Sequence, residues 1–355
     1  MKIRVAILDG DKTYLNRITT VFMNKYMDKL EVYSFSDIEI ALSSLEEKKI
    51  DVLIANENFE IDSSKIPKRC GFVYFVENNN VEEIKGIKTI CKFQKVELIY
   101  KQILGIFADI SINMSGVKFE ENSTNIIAFC GVSGGVGSSS IAASYARKMA
   151  KENKKVLFLE LEQFGSSTYF FEGEGTLTFS DILYCIKSKK ANLPLKLESA
   201  VKRDQSGVYF YESSEMAMDI AEMKVDDFKT LIQTLRTTAE YNLIVLDIDF
   251  IMNDLFAEII KTASIIVLTG DGSEISNVKL MRIYETIKII EQKNDIGILP
   301  KMKLIYNKFS NKTGNILEDI EISNIGGVPK FEHATTKQIL MQLESRDNLL
   351  EKINE

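Results

Sequence analysis

The sequence predicts an α/β protein that folds as two doubly wound parallel sheets, each in its own domain. Short runs rich in Val, Ile and Phe recur along the chain and are separated by segments with helical spacing, which is typical of βαβ repetition. A length of 355 residues exceeds one typical core and fits two. From residue 107 the sequence becomes polar and shows neither helical nor strand periodicity. We therefore predict an N-terminal domain over 1–106, a linker over 107–124 and a C-terminal domain over 125–355.

Composition and charge favour a globular protein of the cytoplasm. Hydrophobic residues make up 45% of the chain and charged residues 27%, and no apolar run approaches the roughly 18 residues of a membrane-spanning helix. The four cysteines are scattered and form no C-x-x-C pair, so we expect them to be reduced. A formal net charge of -7 gives no general attraction for phosphate backbones. We therefore expect no nucleic-acid partner and only indirect contact with a membrane.

The N-terminal domain contains three predicted strands, and polar residues follow two of them. The strands are IRVAIL, DVLIA and GFVYFV, at residues 3–8, 51–55 and 71–76. Asp9 and Asp11 come after the first strand, and Asn56 comes directly after the second. This arrangement resembles the opening of a response-regulator receiver domain, in which acids hold Mg²⁺ beside a phosphorylatable aspartate.

The resemblance implies a receiver-like, flavodoxin-like fold whose phosphorylation chemistry is lost. Asn56 stands at the phosphoacceptor position, and an amide cannot be phosphorylated. Gly10 takes the place of one usual acid, and Lys95, in CKFQKVELIYKQI, matches the receiver's lysine. We therefore expect a pseudo-receiver that acts as an interaction module, with Asp9 and Asp11 as turn residues rather than metal ligands.

The C-terminal domain contains a glycine-rich loop between a strand and a helix. Its predicted strands are IIAFCG, KVLFLEL, NLIVLDI, ASIIVLTG and MKLIYN. The loop GVSGGVGSSS follows the first strand, and its glycines let backbone N–H groups approach an anion at the start of the next helix. Ser139 places a hydroxyl where such loops hold Mg²⁺. The alternative is a tight strand-to-helix turn without a ligand. The candidate cofactor-binding residues of the loop are Ser133, Gly134, Gly135, Val136, Gly137, Ser138, Ser139 and Ser140.

The loop resembles the deviant Walker A motif of MinD/ParA-type ATPases, K-G-G-x-G-K-S/T. This resemblance implies a P-loop NTPase domain with ATP or ADP and Mg²⁺ as cofactors. In register, the signature lysine falls on Ser133 and the phosphate-gripping lysine falls on Ser138. Catalysis of phosphoryl transfer is mainly charge neutralisation plus positioning. The resemblance therefore implies nucleotide binding with slow hydrolysis at best, and it leaves open whether the chain is an efficient enzyme.

Later segments match the same ATPases in order. Relatives carry two aspartates where this chain has Glu160 and Glu162, and the position of Glu162 organises the attacking water. Asp247 ends an apolar strand like a Walker B acid and matches the partner of Mg²⁺ through water; a lone acid there is otherwise a strand-end turn residue. Asn307 matches a position that reads adenine, or else caps a turn. Lys308, which follows it, and Lys330 are candidate replacements for a lost lysine.

A pseudo-receiver followed by a deviant Walker ATPase domain resembles the TadZ/CpaE family, localisation proteins of the Flp-type (tad) pilus assembly and secretion system. The domain order, the loop without its signature lysine, and segments such as IIVLTGDGSEISN and IGGVPKFEHATTKQIL carry the resemblance. It implies a homodimer around ATP that recruits tad components at a cell pole, next to the inner-membrane machinery. A MinD-type ATPase that positions cargo by turnover is the alternative, and Ser133 and Ser138 argue against it.

The end of the chain carries no further catalytic signal. His333, the single histidine, has no second histidine, cysteine or serine-acid set near it to form a triad. Residues 335–355 have apolar side chains at helical spacing and mixed charges, unlike the basic face of a membrane-binding helix. We expect this segment to form a packed helix.

Overall fold

The chain divides into two compact α/β units in the computed structural model, which describes residues 2–110, 124–189, 192–214, 216–238, 240–294 and 297–354. One unit holds residues 1–117 with 184–200, and the other holds residues 118–183 with 201–355. Most of the predicted linker, residues 111–123, lies outside the described residues, and its start at 107–110 is helical. The grouping of 184–200 with the N-terminal unit differs from the predicted boundaries, which remain a prediction.

The strands of the described residues form two sheets, one with the order β2-β1-β3-β4-β6-β5 and one with the order β14-β13-β12-β7-β11-β8-β10-β9. Their pairs are parallel apart from β5 with β6 and β9 with β10. The predicted fold class is confirmed. The strands are β1 (Ile3–Leu8), β2 (Leu30–Phe35), β3 (Val52–Asn56), β4 (Gly71–Val76), β5 (Glu83–Ile84), β6 (Ile87–Cys91), β7 (Asn125–Gly131), β8 (Val156–Glu160), β9 (Lys202–Arg203), β10 (Tyr209–Phe210), β11 (Leu243–Asp247), β12 (Ile265–Gly270), β13 (Met302–Phe309) and β14 (Ser323–Pro329).

Helices connect the parallel strands, and side-chain caps mark where several of them begin. Asp11 accepts hydrogen bonds from the backbone N–H groups of Thr13 and Tyr14, and Asp37 caps the next helix in the same way. The helices are α1 (Lys12–Lys25), α2 (Ile38–Glu47), α3 (Val96–Ile110), α4 (Ser138–Lys151), α5 (Phe179–Ser188), α6 (Leu193–Ala200), α7 (Ala217–Ala221), α8 (Val225–Thr238), α9 (Asp254–Thr262), α10 (Glu274–Asn294), α11 (Thr336–Glu344) and α12 (Asp347–Glu351).

The order of the second sheet brings several chain segments to one edge. The central strand β7 lies between β12 and β11, and β8 lies on the far side of β11. Because the strands are parallel, their carboxyl ends share an edge, which is where open α/β sheets bind ligands. Asp247 and Glu160 end β11 and β8 and are register partners. The fold therefore gathers the predicted site residues at one edge.

The C-terminal segment is packed, as predicted, but it forms two helices rather than one, and α11 lies against α4. Ser345 and Arg346 separate α11 from α12. Leu340 and Leu350 are buried in the same apolar cluster as Tyr145 of α4. In the described part of the chain, every helix is too short or too polar to cross a bilayer.

Candidate functional site

The loop between β7 and α4 presents an open backbone at the start of a helix. Gly135 and Gly137 have positive φ values of 75° and 87°, a left-handed region that favours glycine. A Cβ atom added to Gly134 or Gly135 would meet nothing within 4 Å, so space lies over the loop. Gly137 is the N-cap of α4 and provides no side chain to bond the first N–H groups of the helix. These groups are therefore free to receive an anion.

Two residues at the end of β13 hold this loop. The Asn307 Nδ2 atom donates to the Val136 carbonyl over 2.7 Å, and the Lys308 Nζ atom donates to the Gly135 carbonyl over 2.6 Å. A Cβ on Gly137 would lie 2.5 Å from Asn307 Nδ2, so this close approach requires glycine. The structure brings both predicted residues to the loop, and adenine recognition by Asn307 remains a prediction.

Three carboxylates converge beside the loop: those of Glu160, Glu162 and Asp247, with one oxygen from each within 4.8 Å of the others. The Asp247 side chain is fully buried, and neither of its oxygens has a hydrogen-bond partner among the described residues. Glu160 accepts hydrogen bonds from the Ser166 N–H and from the Ser213 hydroxyl. The sequence did not single out Ser213, because this contact joins residues 53 positions apart.

The loop serines occupy different environments. The Ser139 hydroxyl lies 3.3 Å from the Glu162 Oε1 atom and donates to it. The Ser138 hydroxyl is buried without a hydrogen-bond partner in the described chain, whereas Ser133 and Ser140 are half-buried. The structure thus places Ser139 beside the carboxylates, as its predicted role in holding Mg²⁺ requires.

Burial and repulsion from neighbouring acids make Glu162 and Asp247 poor at holding negative charge on their own. Burial raises the pKa of Asp247 well above its ordinary value, and the charges of Glu162 and Glu160 raise it further. Burial also raises the pKa of Glu162 to about 7, with contributions from Asp249 and Glu160. Asp249 itself accepts a hydrogen bond from a backbone N–H, that of residue 163. This setting favours protonation or a bound cation.

The residues present fit a divalent ion such as Mg²⁺. The Ser139 hydroxyl and the fully buried Asp247 carboxylate supply oxygen ligands, the type that Mg²⁺ prefers. The open backbone at Gly134 and Gly135 lies in the same loop and leaves room for a phosphate group. The arrangement can therefore hold a phosphate and a divalent cation side by side.

The N-terminal unit has its own polar centre, which contains an ion pair. The Lys92 Nζ atom lies 2.8 Å from the Asp9 Oδ2 atom, and both side chains are buried. The Asn56 amide donates to the same oxygen, and the Lys92 ammonium lies 4.4 Å from the Tyr14 ring centroid. Asp9 also accepts a hydrogen bond from the Asp11 N–H, which makes it a turn residue as predicted.

The match of Lys95 to the receiver's lysine is wrong. Lys92 is the residue that reaches Asp9, because it follows directly after β6 and is therefore at the edge where β1 ends. The strand β6 is short and contains a lysine, so its end was not located from the sequence, and the lysine was placed three positions too late. The signal that could have found it is the short apolar run that ends at Cys91.

Comparison with known proteins finds a family match for the N-terminal residues and similar folds for the rest of the chain. Residues 1–108 match the family model described as the TadZ-like receiver domain. The chain therefore carries a TadZ-like receiver domain at its N-terminus, as the sequence predicted. Among proteins with curated descriptions, none matches the chain.

Solved structures resemble the second unit in fold. A ParA family ATPase from Chlorobium tepidum TLS is 17% identical, with a TM-score of 0.52 over 65% of this chain and 96% of that one. The septum site-determining protein MinD from Pyrococcus horikoshii OT3, complexed with Mg-ADP, is 15% identical, with a TM-score of 0.50 over 65% and 96%. At these identities the likeness concerns the fold alone. The predicted MinD/ParA-like fold is confirmed.

Proposed function

We propose that this chain is a localisation protein that binds ATP or ADP with Mg²⁺ and dimerises. The observation that carries the proposal is the open glycine loop beside a buried carboxylate, that of Asp247, without a hydrogen-bond partner among the described residues. A turn without a ligand would not need an unpaired carboxylate at its side, because burying one is costly. The pairing of loop and acid therefore supports a nucleotide site over a purely structural turn.

In this proposal the chain positions components of the Flp (tad) pilus and secretion machinery in the cytoplasm at a cell pole. The TadZ-like receiver domain at residues 1–108 supports this role, as does its position before a ParA/MinD-like domain. The receiver domain acts as an interaction module, because Asn56 and the ion pair of Asp9 with Lys92 occupy its polar centre.

The loop and the neighbouring Asp247 bind different parts of the nucleotide complex. The N–H groups of Gly134 and Gly135, with the start of α4, bind the phosphates, while Ser139 and Asp247 hold Mg²⁺. When bound, Mg²⁺ neutralises charge on the phosphates. Residues 132–140 contain no lysine or arginine, and Lys308 donates to a loop carbonyl. We therefore expect slow hydrolysis, since little positive charge is directed at a transferring phosphoryl group.

Exposed apolar side chains around this edge support a homodimer. They follow the carboxyl ends of β8, β11 and β12, the edge that holds the loop, and exposed apolar side chains gathered at one edge are typical of an interaction surface. The side chains are those of Phe164, Ile251, Met252 and Ile275, which are 80%, 49%, 47% and 72% exposed. A second copy that covers them would also close the nucleotide edge.

A cycling MinD-type ATPase remains the second candidate, favoured by one observation. The Glu162 carboxyl contacts the Ser139 hydroxyl, and its pKa of about 7 suits a group that accepts a proton from water. Steady phosphate release well above that of Ser139→Ala would support turnover. Release equal to that of Ser139→Ala would support the scaffold.

The test of nucleotide binding is calorimetric titration of the full chain with ATP and Mg²⁺, combined with mass measurement by light scattering. We expect saturable binding that Ser139→Ala weakens at least tenfold. Ser345→Ala makes the same change beyond α11 and should bind like the wild type. If the wild type binds no ATP, the loop is a relic and the proposed nucleotide role is wrong.

A further inference from the structure

The three carboxylates beside the loop have the geometry of ligands around one ion. Glu160 and Asp247 end adjacent parallel strands in register, and Glu162 follows two residues after Glu160. One oxygen from each lies within 4.8 Å of the others. Neighbouring oxygens around Mg²⁺ or Ca²⁺ are about 2.9–3.4 Å apart, and only one pair of three ligands can lie on opposite sides of the ion. The three carboxylates therefore lie close enough to share one divalent ion once small movements of the glutamate side chains bring their oxygens together.

The cluster lacks a compensating positive charge from the protein. Within the described chain, no lysine, arginine or histidine pairs with Glu160, Glu162 or Asp247. Lys308, which does reach the loop, donates to the carbonyl of Gly135. The Asp247 side chain is fully buried, and neither of its oxygens has a hydrogen-bond partner in the part of the chain that the structure describes. A buried carboxylate in such a setting keeps its negative charge only beside a cation and otherwise takes up a proton, so the cluster is suited to a bound cation.

Two features help the cluster to bind a metal ion. Glu160 is held in place by the Ser166 N–H and the Ser213 hydroxyl, which orient its carboxylate. The Ser139 hydroxyl lies 3.3 Å from Glu162 and offers a fourth oxygen. A donor set made only of oxygens suits hard divalent ions such as Mg²⁺, Mn²⁺ and Ca²⁺.

We propose that Glu160, Glu162 and Asp247 bind a divalent cation of the Mg²⁺, Mn²⁺ and Ca²⁺ class in the absence of nucleotide. This goes beyond the proposed function, in which the metal is needed only together with a nucleotide. A resident cation changes the charge that an incoming polyphosphate meets beside the loop. It supplies from a bound ion the positive charge that the residues of the loop lack.

The test uses the full chain, stripped of metal with EDTA and desalted, in buffer without nucleotide. Mn²⁺ is titrated, and the free ion is measured by electron paramagnetic resonance. We expect about one bound Mn²⁺ per chain, displaced by Ca²⁺ or Mg²⁺. Glu162→Gln and Asp247→Asn should each weaken binding at least tenfold. Asp254→Asn removes an exposed carboxylate seven residues after Asp247 and should bind Mn²⁺ like the wild type.

Separate readouts keep this inference apart from nucleotide binding. Absence of Mn²⁺ binding below millimolar concentration in folded wild-type protein overturns it, even if ATP with Mg²⁺ binds. Equal Mn²⁺ affinity in wild type and Glu162→Gln also overturns it. Stoichiometric Mn²⁺ binding in a chain that binds no ATP supports it while removing the proposed nucleotide role. If circular dichroism shows that Asp247→Asn does not fold, the half-buried Glu162 decides the outcome.

Discussion

Gly137 illustrates how one residue determines the geometry of the loop. Its φ of 87° and its contact with the Asn307 amide both exclude a larger residue. We expect Gly137→Ala to lower the free energy of unfolding by about 1–3 kcal/mol, because alanine is strained at this φ and its Cβ displaces Asn307. Urea denaturation of the full chain measures the change.

Gly134→Ala is the matched control for that substitution. Gly134 lies in the same loop, its φ is not left-handed, and an added Cβ meets nothing within 4 Å. Its stability should therefore stay close to that of the wild type. Equal losses from both substitutions would mean that the loop does not depend on the contact with Asn307.

Glu162 gives the site a pH dependence whose sign follows from its raised pKa. The pKa rises from 4.5 to about 7 in the folded chain, chiefly through burial. Between these values the folded state holds a proton that the unfolded state has lost, so stability falls as the pH rises, and it levels off above pH 7. In buffer with EDTA, the free energy of unfolding of Glu162→Gln should therefore increase relative to that of the wild type as the pH rises across this range, by on the order of 1 kcal/mol.

The measurement is urea unfolding of both proteins at several pH values from 5 to 8. Glu152→Gln removes an exposed carboxylate at the end of α4 and is the control for a change in net charge. A stability difference between Glu162→Gln and wild type that stays constant over this range would contradict the raised pKa.

At the scale of elements, the sequence predicted strands well where apolar runs were continuous. The strands IRVAIL, IIAFCG and NLIVLDI are buried in sheets that helices connect, so their composition alone identifies them. The short edge strands β5 and β9 contain charged residues and escaped notice, since their pairing depends on neighbours rather than on an apolar run. The break between α11 and α12 carries no Gly or Pro signal, which is why the segment was predicted as one helix.

The site residues were also predictable where the signal was local and not where it depended on distant neighbours. Residues tied to a local motif, such as Gly137 and Ser139, lie where the loop pattern predicted. Contacts between distant segments were not predictable in the same way: the hydrogen bond from Ser213 to Glu160 joins separate loops, and Lys92 was missed because its strand was missed. Long-range pairing is decided by tertiary structure, which a local pattern does not contain.

The short helix α12 matters for the unit that holds the loop. Leu350 is fully buried with residues of α4, and the Tyr145 hydroxyl donates to Asn354 just beyond the helix. We expect Leu350→Ala to cost about 2–5 kcal/mol in unfolding free energy through the cavity that it leaves. Met341→Ala on α11 truncates a side chain that is 60% exposed and should cost far less. Thermal and urea denaturation compare the two, and similar losses would indicate that α12 does not pack in solution.

At the scale of the whole molecule, the division into units depends on contacts that a linear pattern does not reveal. The segment with α6 lies well past the start of the second sheet, yet it groups with the N-terminal unit. There Lys196 pairs with Asp109, and Tyr100 donates to Glu198. A boundary predicted from composition cuts the chain at one place. It therefore could not assign residues 184–200, which follow the boundary, to the N-terminal unit.

The proposed dimer makes a prediction that separates the two domains. Ile275, in the first turn of α10 and 72% exposed, belongs to the apolar set around the nucleotide edge. We expect Ile275→Glu to remain monomeric with ATP and Mg²⁺, while the wild type doubles its mass, because a charge buried in an apolar interface is costly. Light scattering measures the mass, and calorimetry checks that the variant still binds ATP.

Ile40→Glu provides the control from the other domain. Ile40 lies on α2 and is 59% exposed, so the substitution adds the same charge to an apolar surface position of the receiver domain. If dimerisation uses the nucleotide edge, Ile40→Glu should dimerise like the wild type. The opposite pattern, with Ile275→Glu dimeric and Ile40→Glu monomeric, would place the dimer contact on the receiver domain and separate dimerisation from the nucleotide edge.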